Sequence, residues 1–413
     1  MFSSIKYCLA ILILLVSVHG IFSQDNNTST ITAIEITGLR RTKPHIAEYP
    51  LQKFIGMDSS NLRQVEVEAA VIGTAVLDFI DMELIERNDG MVLHVTVHDK
   101  WAIIPFPYFA ANSSGINLGL FLMDSNAFGI RDTAVLGGMY MGSGWMATAM
   151  YRHTPGHSGV PGWNATLSYS SMTNEDQNRD EIMQRLYGVN RFNASFGLYM
   201  PFAQVLSASM GVSYSYISIH NNNSNNINAP ASNAQIIGLS PGISLRLNSW
   251  DGFFMSQSGL SFQYAYNHAL TGSSFHQAQI RAFYEQSLIP GFRVLLRSSL
   301  SWKSTEDPLF EDGPQRAQVA ILPNRFSALH YAGFTAGLEK YIFRMRWGTL
   351  SALASWQTVF SYGPIGGSQF DHGPSGGLRF YLSRLAMPAI GAGVAYNMNT
   401  QIFQFALNMG MEF

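Results

Sequence analysis

The residues able to do chemistry are few in this 413-residue chain, and their spacing is poor for it. Gly156-His157-Ser158-Gly159 has the outline of a serine nucleophile turn, but Val160 stands where that turn needs its last glycine. The prolines and glycines around it read as an ordinary connection. His153 and His157 are four apart, a spacing that serves a metal on a helix. Here the segment reads as a strand end and a turn, so the spacing carries no ligand geometry. Asp371-His372 with a distant serine could be drawn as a hydrolase dyad, but with eleven histidines in the chain such pairings arise by chance. Cys8 is the single cysteine and lies in the first apolar stretch, which excludes thiol catalysis and disulfides from the mature chain. No catalytic residue, metal ligand or cofactor site is expected, and a net charge of −2 speaks against a nucleic-acid surface.

What the chain offers instead is alternation. From Gln401 to the end, Phe403, Phe405, Leu407, Met409, Met411 and Phe413 share one face, and Gln404, Ala406, Asn408, Gly410 and Glu412 share the other. Side chains alternate across a strand, so one face is apolar throughout and the other small or polar. Leu206 to Tyr216 repeats the pattern with serine and glycine between the apolar residues, and Leu260 to Asn267 repeats it again. Phe292, Val294, Leu296, Leu300 and Trp302 alternate with Arg293, Arg297 and Lys303, with Leu295 as an exception. Arginines are costly in lipid, so the inward side of these strands is expected to be wet.

Composition agrees. The chain is 47% hydrophobic but only 13% charged, with 37 glycines, whereas ordinary domains carry about 25% charge. No apolar run after residue 23 is long enough for a membrane helix. Lys6, the apolar run Cys8–Val18 and Ser23 before Gln24 read as a signal peptide over residues 1–23. About a quarter of residues 30–100 are charged, against roughly a tenth afterwards, which suggests two domains.

Residues 30–98 read as a β-α-α-β-β module. Ile31–Gly38 is a strand; Thr42 with Pro44 opens a helix that runs to Phe54 and stops at Gly56. Ser59 or Ser60 caps a second helix bearing Val67, Ala70, Val71, Ala75 and Leu77. Met82–Arg87 and Met91–His98 pair across Asn88-Asp89-Gly90. From Trp101 the turn signals divide the chain into about sixteen strands, an even number as a bacterial outer-membrane barrel requires. Longer polar loops at 172–189, 219–235, 304–330 and 362–373 each follow an odd-numbered strand and so share one side.

This layout resembles the BamA/TamA outer-membrane assembly superfamily, whose periplasmic modules are polypeptide-transport-associated (POTRA) domains. Ile34-Glu35-Ile36-Thr37-Gly38 with Arg41-Thr42 looks like the opening of such a module, and Asp99-Lys100-Trp101 like its joint to the barrel. Asn126-Ala127-Phe128-Gly129 is similar to the family's turn between the second and third strands. Gly337-Leu338-Glu339-Lys340-Tyr341 is similar to its twelfth strand, and the closing strand to its terminal assembly signal. The resemblance implies an inward Glu339. The family's Arg-Gly-aromatic motif in the sixth loop is missing; Arg325-Phe326 is the nearest counterpart, and Ser361 stands where the family has an inward aspartate.

The resemblance implies a non-enzymatic barrel in the bacterial outer membrane, with residues 30–98 in the periplasm and 101–413 in the bilayer. It would assist assembly, insertion or translocation of other proteins. Its partners would be lipid, unfolded client proteins and accessory periplasmic proteins. A secretion pore dedicated to one partner, a passive porin and an outer-membrane enzyme are the alternatives. Pro105 and Pro107 bear on the mechanism. Neither can donate a ladder hydrogen bond, and both address the same edge of the first strand. If that edge faces the last strand, the barrel closes poorly there and a client strand could pair at the gap. Otherwise the prolines stiffen the linker after Trp101.

Overall fold

A computed structural model of the chain describes residues 30–409 apart from 89, 113–114, 155–159, 204, 221–227, 229, 231–232, 251–253, 346–347, 365 and 383–389. The proposed signal segment, Met411, Phe413 and the Gly156–Gly159 turn lie outside these residues. The chain divides into two units, one ending at Lys100 and one beginning at Trp101.

The first unit is a three-stranded sheet with two helices. β1 (Ile31–Thr37) lies parallel to β3 (Gly90–Asp99), which pairs antiparallel with β2 (Leu77–Arg87). Between β1 and β2 come α1 (Pro44–Glu48), which tightens into a 3-10 turn over Tyr49–Phe54, and α2 (Gln64–Ile72). Pro44 sits at the start of α1 as its fixed φ favours. The chain leaves this helical segment at Gly56, whose φ is +85°. Ile31, Leu51, Phe54, Val67, Val71, Leu77, Leu93 and Val95 form its buried core.

Two sequence expectations shift here. The second helix begins at Gln64 rather than after Ser59–Ser60, because Asp58 takes the Ser60 amide at 2.9 Å and holds Ser59–Asn61 as a separate 3-10 turn. It also stops at Ile72; Ala75 has left the helix with a φ of +67°, and Leu77 already belongs to β2.

The family-like opening and the joint motif meet. Asp99, the last residue of β3, accepts the backbone N–H groups of Arg40, Arg41 and Thr42 at 2.6, 3.0 and 3.0 Å, and the Thr42 hydroxyl as well. Burial works against its charged form, but the Thr42 hydroxyl and those three amides outweigh it and hold the carboxyl below the usual carboxylate range.

The second unit is a closed antiparallel barrel of sixteen strands. In order they are β4 (Ile103–Asn112), β5 (Gly115–Ala127), β6 (Asp132–Met141), β7 (Gly144–His153), β8 (Gly162–Gln177), β9 (Met183–Pro201), β10 (Leu206–His220) and β11 (Ala234–Trp250). There follow β12 (Met255–Thr271), β13 (Phe275–Ile289), β14 (Phe292–Lys303), β15 (His330–Met345), β16 (Gly348–Gly363), β17 (Gly367–Leu382), β18 (Ile390–Asn397) and β19 (Ile402–Met409). Every strand pairs with its sequence neighbours, and β19 closes onto β4.

Closure follows from the alternation. Ile116, Leu118, Leu120 and Leu122 on β5, Ile243, Leu245 and Leu247 on β11, and Phe334 and Leu338 on β15 are all exposed on the outer face. Their alternating neighbours turn inward. A closed sheet leaves no unpaired edge in lipid and presents a continuous apolar exterior, as a bilayer demands.

Two of the four long loops expected from sequence are strand instead. β8 and β9 extend to Gln177 and from Met183, pairing as far as Gln177↔Met183, and β16 and β17 meet across Gly363↔Gly367. Polar residues there read as loop because both faces of a strand that rises past the bilayer are polar. The connection 304–329 is a true loop, carrying 3-10 turns at Pro308–Phe310 and Pro314–Arg316.

Candidate functional site

The lumen is where the inward residues meet. Glu339 on β15 is fully buried. Its carboxylate accepts from Arg293 Nη2 at 2.5 Å, Arg379 Nη1 at 3.2 Å, Ser351 Oγ at 2.5 Å and the Tyr381 hydroxyl at 2.7 Å. Arg293 reaches on to Glu285 at 3.1 Å, which also takes Arg297 Nη2 at 2.5 Å and the Gln257 amide at 3.0 Å. The Arg293 guanidinium lies 4.8 Å from the Phe254 ring centre. The strands dictate this convergence: β14 pairs with β15 in a register that sets Arg293 opposite Glu339. Neighbouring acids and bases are then the only affordable way to carry charge on a buried inner wall.

Above this network the lumen is not open water. The 304–329 loop folds into it and ties to inward side chains all round. Ser299 Oγ donates to the Arg316 carbonyl at 2.6 Å, the Ala320 N–H donates to Gln357 Oε1 at 2.6 Å, and the Tyr331 hydroxyl donates to the Asp312 carbonyl at 2.7 Å. Lys303 Nζ lies 2.7 Å from Asp312 Oδ2. Apolar residues complete the seat. Ala317, Ile321, Leu322 and Phe326 pack with Tyr331, Val359 and Ala395 from β15, β16 and β18, while Leu309 packs with Tyr187, Ile217 and Phe275 from β9, β10 and β13. The loop therefore plugs the barrel. The inward side is charged and polar about Arg293 and Arg297 and apolar where the loop seats, because a loop with its own apolar residues needs apolar wall to bury them.

Arg325 sits in this loop. It pairs with Glu175 near the end of β8, and its carbonyl takes the Gln177 N–H at 2.9 Å. The family-like inward aspartate position, Ser361, is buried. An inward acid does occur one strand over. Asp371 on β17 is fully buried, accepts from the Asn397 amide at 3.1 Å and lies 3.7 Å from Arg179 at the β8–β9 hairpin tip. The same tip places Glu181 2.8 Å from the Gln404 amide of β19. His372, the neighbour of Asp371, stacks on Trp356 at 5.7 Å on the outer face, so the two members of the apparent dyad point to opposite sides of the sheet. Sequence reasoning weighed Asp371 only as a chance dyad with His372; its signal as a lumen residue was an acid at an inward parity in a strand read as loop.

The closing seam is the second feature. β4 and β19 pair at Asn112↔Ala406, Ala111↔Leu407 and Ala110↔Asn408. Phe403, Phe405 and Leu407 are exposed on the outer face and Gln404 is buried inside. Pro105 and Pro107 both lie in β4, and its ladder to β5 runs unbroken through them. Where a proline nitrogen does face a neighbour the ladder lapses, as at Pro241, where the pairing of β11 with β12 skips residues 240 and 241. The missing donors of Pro105 and Pro107 thus lie on the other edge, the one that faces β19.

By sequence, no family model and no curated protein matches the chain. By fold it is similar to BamA from Haemophilus ducreyi lacking POTRA domains 1–3, with a TM-score of 0.68, 12% identity, and 92% of this chain and 84% of that one covered. It is similar also to CdiB from Acinetobacter baumannii (TM-score 0.59, 12% identity, 92% and 74% covered) and CdiB from Escherichia coli (TM-score 0.59, 11% identity, 95% and 93% covered). The fold is a closed sixteen-strand barrel like those of BamA and CdiB.

Proposed function

We propose that this chain is an outer-membrane barrel that assists assembly or translocation of other proteins, with residues 30–98 acting as a periplasmic POTRA module. The seam carries this reading. An edge strand whose two prolines cannot donate along that edge has backbone acceptors that can be lent to an incoming strand. The client would form hairpins at the β4–β19 gap, driven by burial of apolar faces in lipid with each backbone group paired. The β-α-α-β-β order of the first unit and the fold shared with BamA and CdiB support the reading. No nucleotide is required, since the reaction runs downhill.

The test is a covalent seam. Ala111 and Leu407 are register partners, so Ala111→Cys with Leu407→Cys can close a disulfide, and Cys8 is the sole native cysteine. Oxidation is expected to stop client assembly in vesicles and reduction to restore it. Unchanged assembly with the bond fully formed would remove the seam from the mechanism.

The plug favours a second reading, a secretion pore dedicated to one partner, because a loop seated on both walls is a stopper that a cognate substrate could displace. Depletion separates the two. Loss of many outer-membrane proteins supports assembly; loss of a single exported protein supports the pore. Crosslinks from residues 30–98 would identify the clients in either case.

A further inference from the structure

Guanidinium outnumbers carboxylate in one part of the lumen. A cavity of about 550 Å³ opens between the plug loop and the wall made by β11 to β14, with Arg246, Arg281, Arg297, Gln257, Ser261 and Glu285 around it. Glu285 is already engaged by Arg297, Arg293 and Gln257. Arg246 donates to neutral amides, Asn248 Oδ1 at 3.3 Å and Gln257 Oε1 at 3.2 Å. Arg281 and Arg316, the latter also 3.4 Å from Asp312 Oδ2, compete for one neutral oxygen. In one orientation of the Gln279 amide its oxygen accepts from Arg316 Nη1 at 3.3 Å; turned over, it accepts from Arg281 Nη2 and Nε at 3.0 and 3.1 Å. Among the described residues no carboxylate pairs with Arg246 or Arg281. The shortage extends deeper, where the buried Nη2 of Arg379 has no hydrogen-bond partner. Five arginines of the lower lumen (246, 281, 293, 297 and 379) thus face two glutamates, 285 and 339.

We propose that this cavity is a binding site for a phosphate-class oxyanion, held by Arg281 and Arg246 on its wall, with Arg316 of the plug loop reaching toward it from beside Gln279. A guanidinium fork matches the paired oxygens of such an anion, and the anion supplies the charge that Gln279 lacks. Because Arg316 belongs to the loop and Arg281 to β13, occupancy ties the plug to the wall. The anion is then a ligand that stabilises the closed lumen.

The experiment is calorimetric titration of the full chain in uncharged detergent with inorganic phosphate, at ionic strength held constant with sodium chloride. Saturable binding is expected, weakened at least tenfold by Arg281→Gln and severalfold by Arg316→Gln, and unchanged by Arg63→Gln in the first unit. Competition identifies the source: displacement by glycerol phosphate marks a soluble ligand, and displacement by anionic lipid doped into the micelles marks a headgroup. Absence of saturable binding to the folded barrel overturns the proposal, as does an Arg281→Gln protein that titrates like the parent. Should Arg281→Gln fail to fold, the loop variant decides, and an unchanged affinity in Arg316→Gln overturns the site.

Discussion

At the scale of single residues, Glu339 is the clearest case of a charge whose environment was built for it. Two arginines, a serine and a tyrosine converge on its carboxylate from β14, β16 and β17. Removing it leaves Arg293 and Arg379 buried without their common anion, and breaking a buried pair on one side typically costs about 3–5 kcal/mol. Glu339→Ala is therefore expected to lower the unfolding midpoint of the barrel in urea. Glu339→Ala with Arg379→Met should recover part of the loss, since it removes one orphaned charge; an undiminished loss in the double variant would contradict the pairing. Asp99 makes a different prediction. Its carboxyl titrates below the ordinary range, so its contribution is fully present above the unfolded-state value of about 3.9 and is lost as pH falls through the lower folded value. Hydrogen exchange at Arg40–Thr42 should accelerate in that acid window, and Asp99→Asn should make exchange there fast at neutral pH as well.

At the scale of elements, the strands were legible and the plug was not. Alternation is a local signal, so Phe292 to Lys303 revealed its outward and inward sides, and even Leu295, the exception, is explained as an inward residue buried at 3% exposure. The loop over 304–329 carries Leu309, Ile321, Leu322 and Phe326 between its prolines and charges, but without a period that says what they pack on, because Val359 and Ala395 of their seat lie on strands distant in sequence. The partners of Arg325 and Asp371 were hidden for the same reason: Glu175 and Arg179 lie about the β8–β9 hairpin, which read as loop. One residue tests the seat. A Cβ on Gly333 would come 2.1 Å from the Ala317 carbonyl oxygen, backbone that has no easy retreat. Gly333→Val should therefore lift the loop from β15 while leaving the outer face of the barrel intact. Limited proteolysis between 304 and 329 should quicken severalfold, and an unchanged cleavage rate would show that the loop is seated elsewhere.

At the scale of the whole molecule, the barrel is a lipid-compatible cylinder whose lumen is plugged by one loop and whose inner wall keeps an excess of arginine over glutamate between β11 and β17. These two properties make a joint prediction about conduction. With the loop in place Ile321, Leu322 and Leu309 are buried in the lumen, and the single-channel conductance in a planar bilayer should be small and intermittent. Replacing residues 308–326 with a short glycine-serine linker removes Asp312 and Glu311 together with Arg316 and Arg325, so the loop's own charges leave in balance. What remains exposed is the wall, with Arg246, Arg281, Arg293, Arg297 and Arg379 against Glu285 and Glu339. A ring of fixed positive charge lowers the barrier for anions in a water-filled pore. The deletion should open a steady conductance whose reversal potential under a potassium chloride gradient lies on the chloride side. Arg281→Gln and Arg246→Gln together should move it toward zero. A cation-selective pore in the deletion protein would mean that other inward groups, and not these arginines, set the field along the lumen.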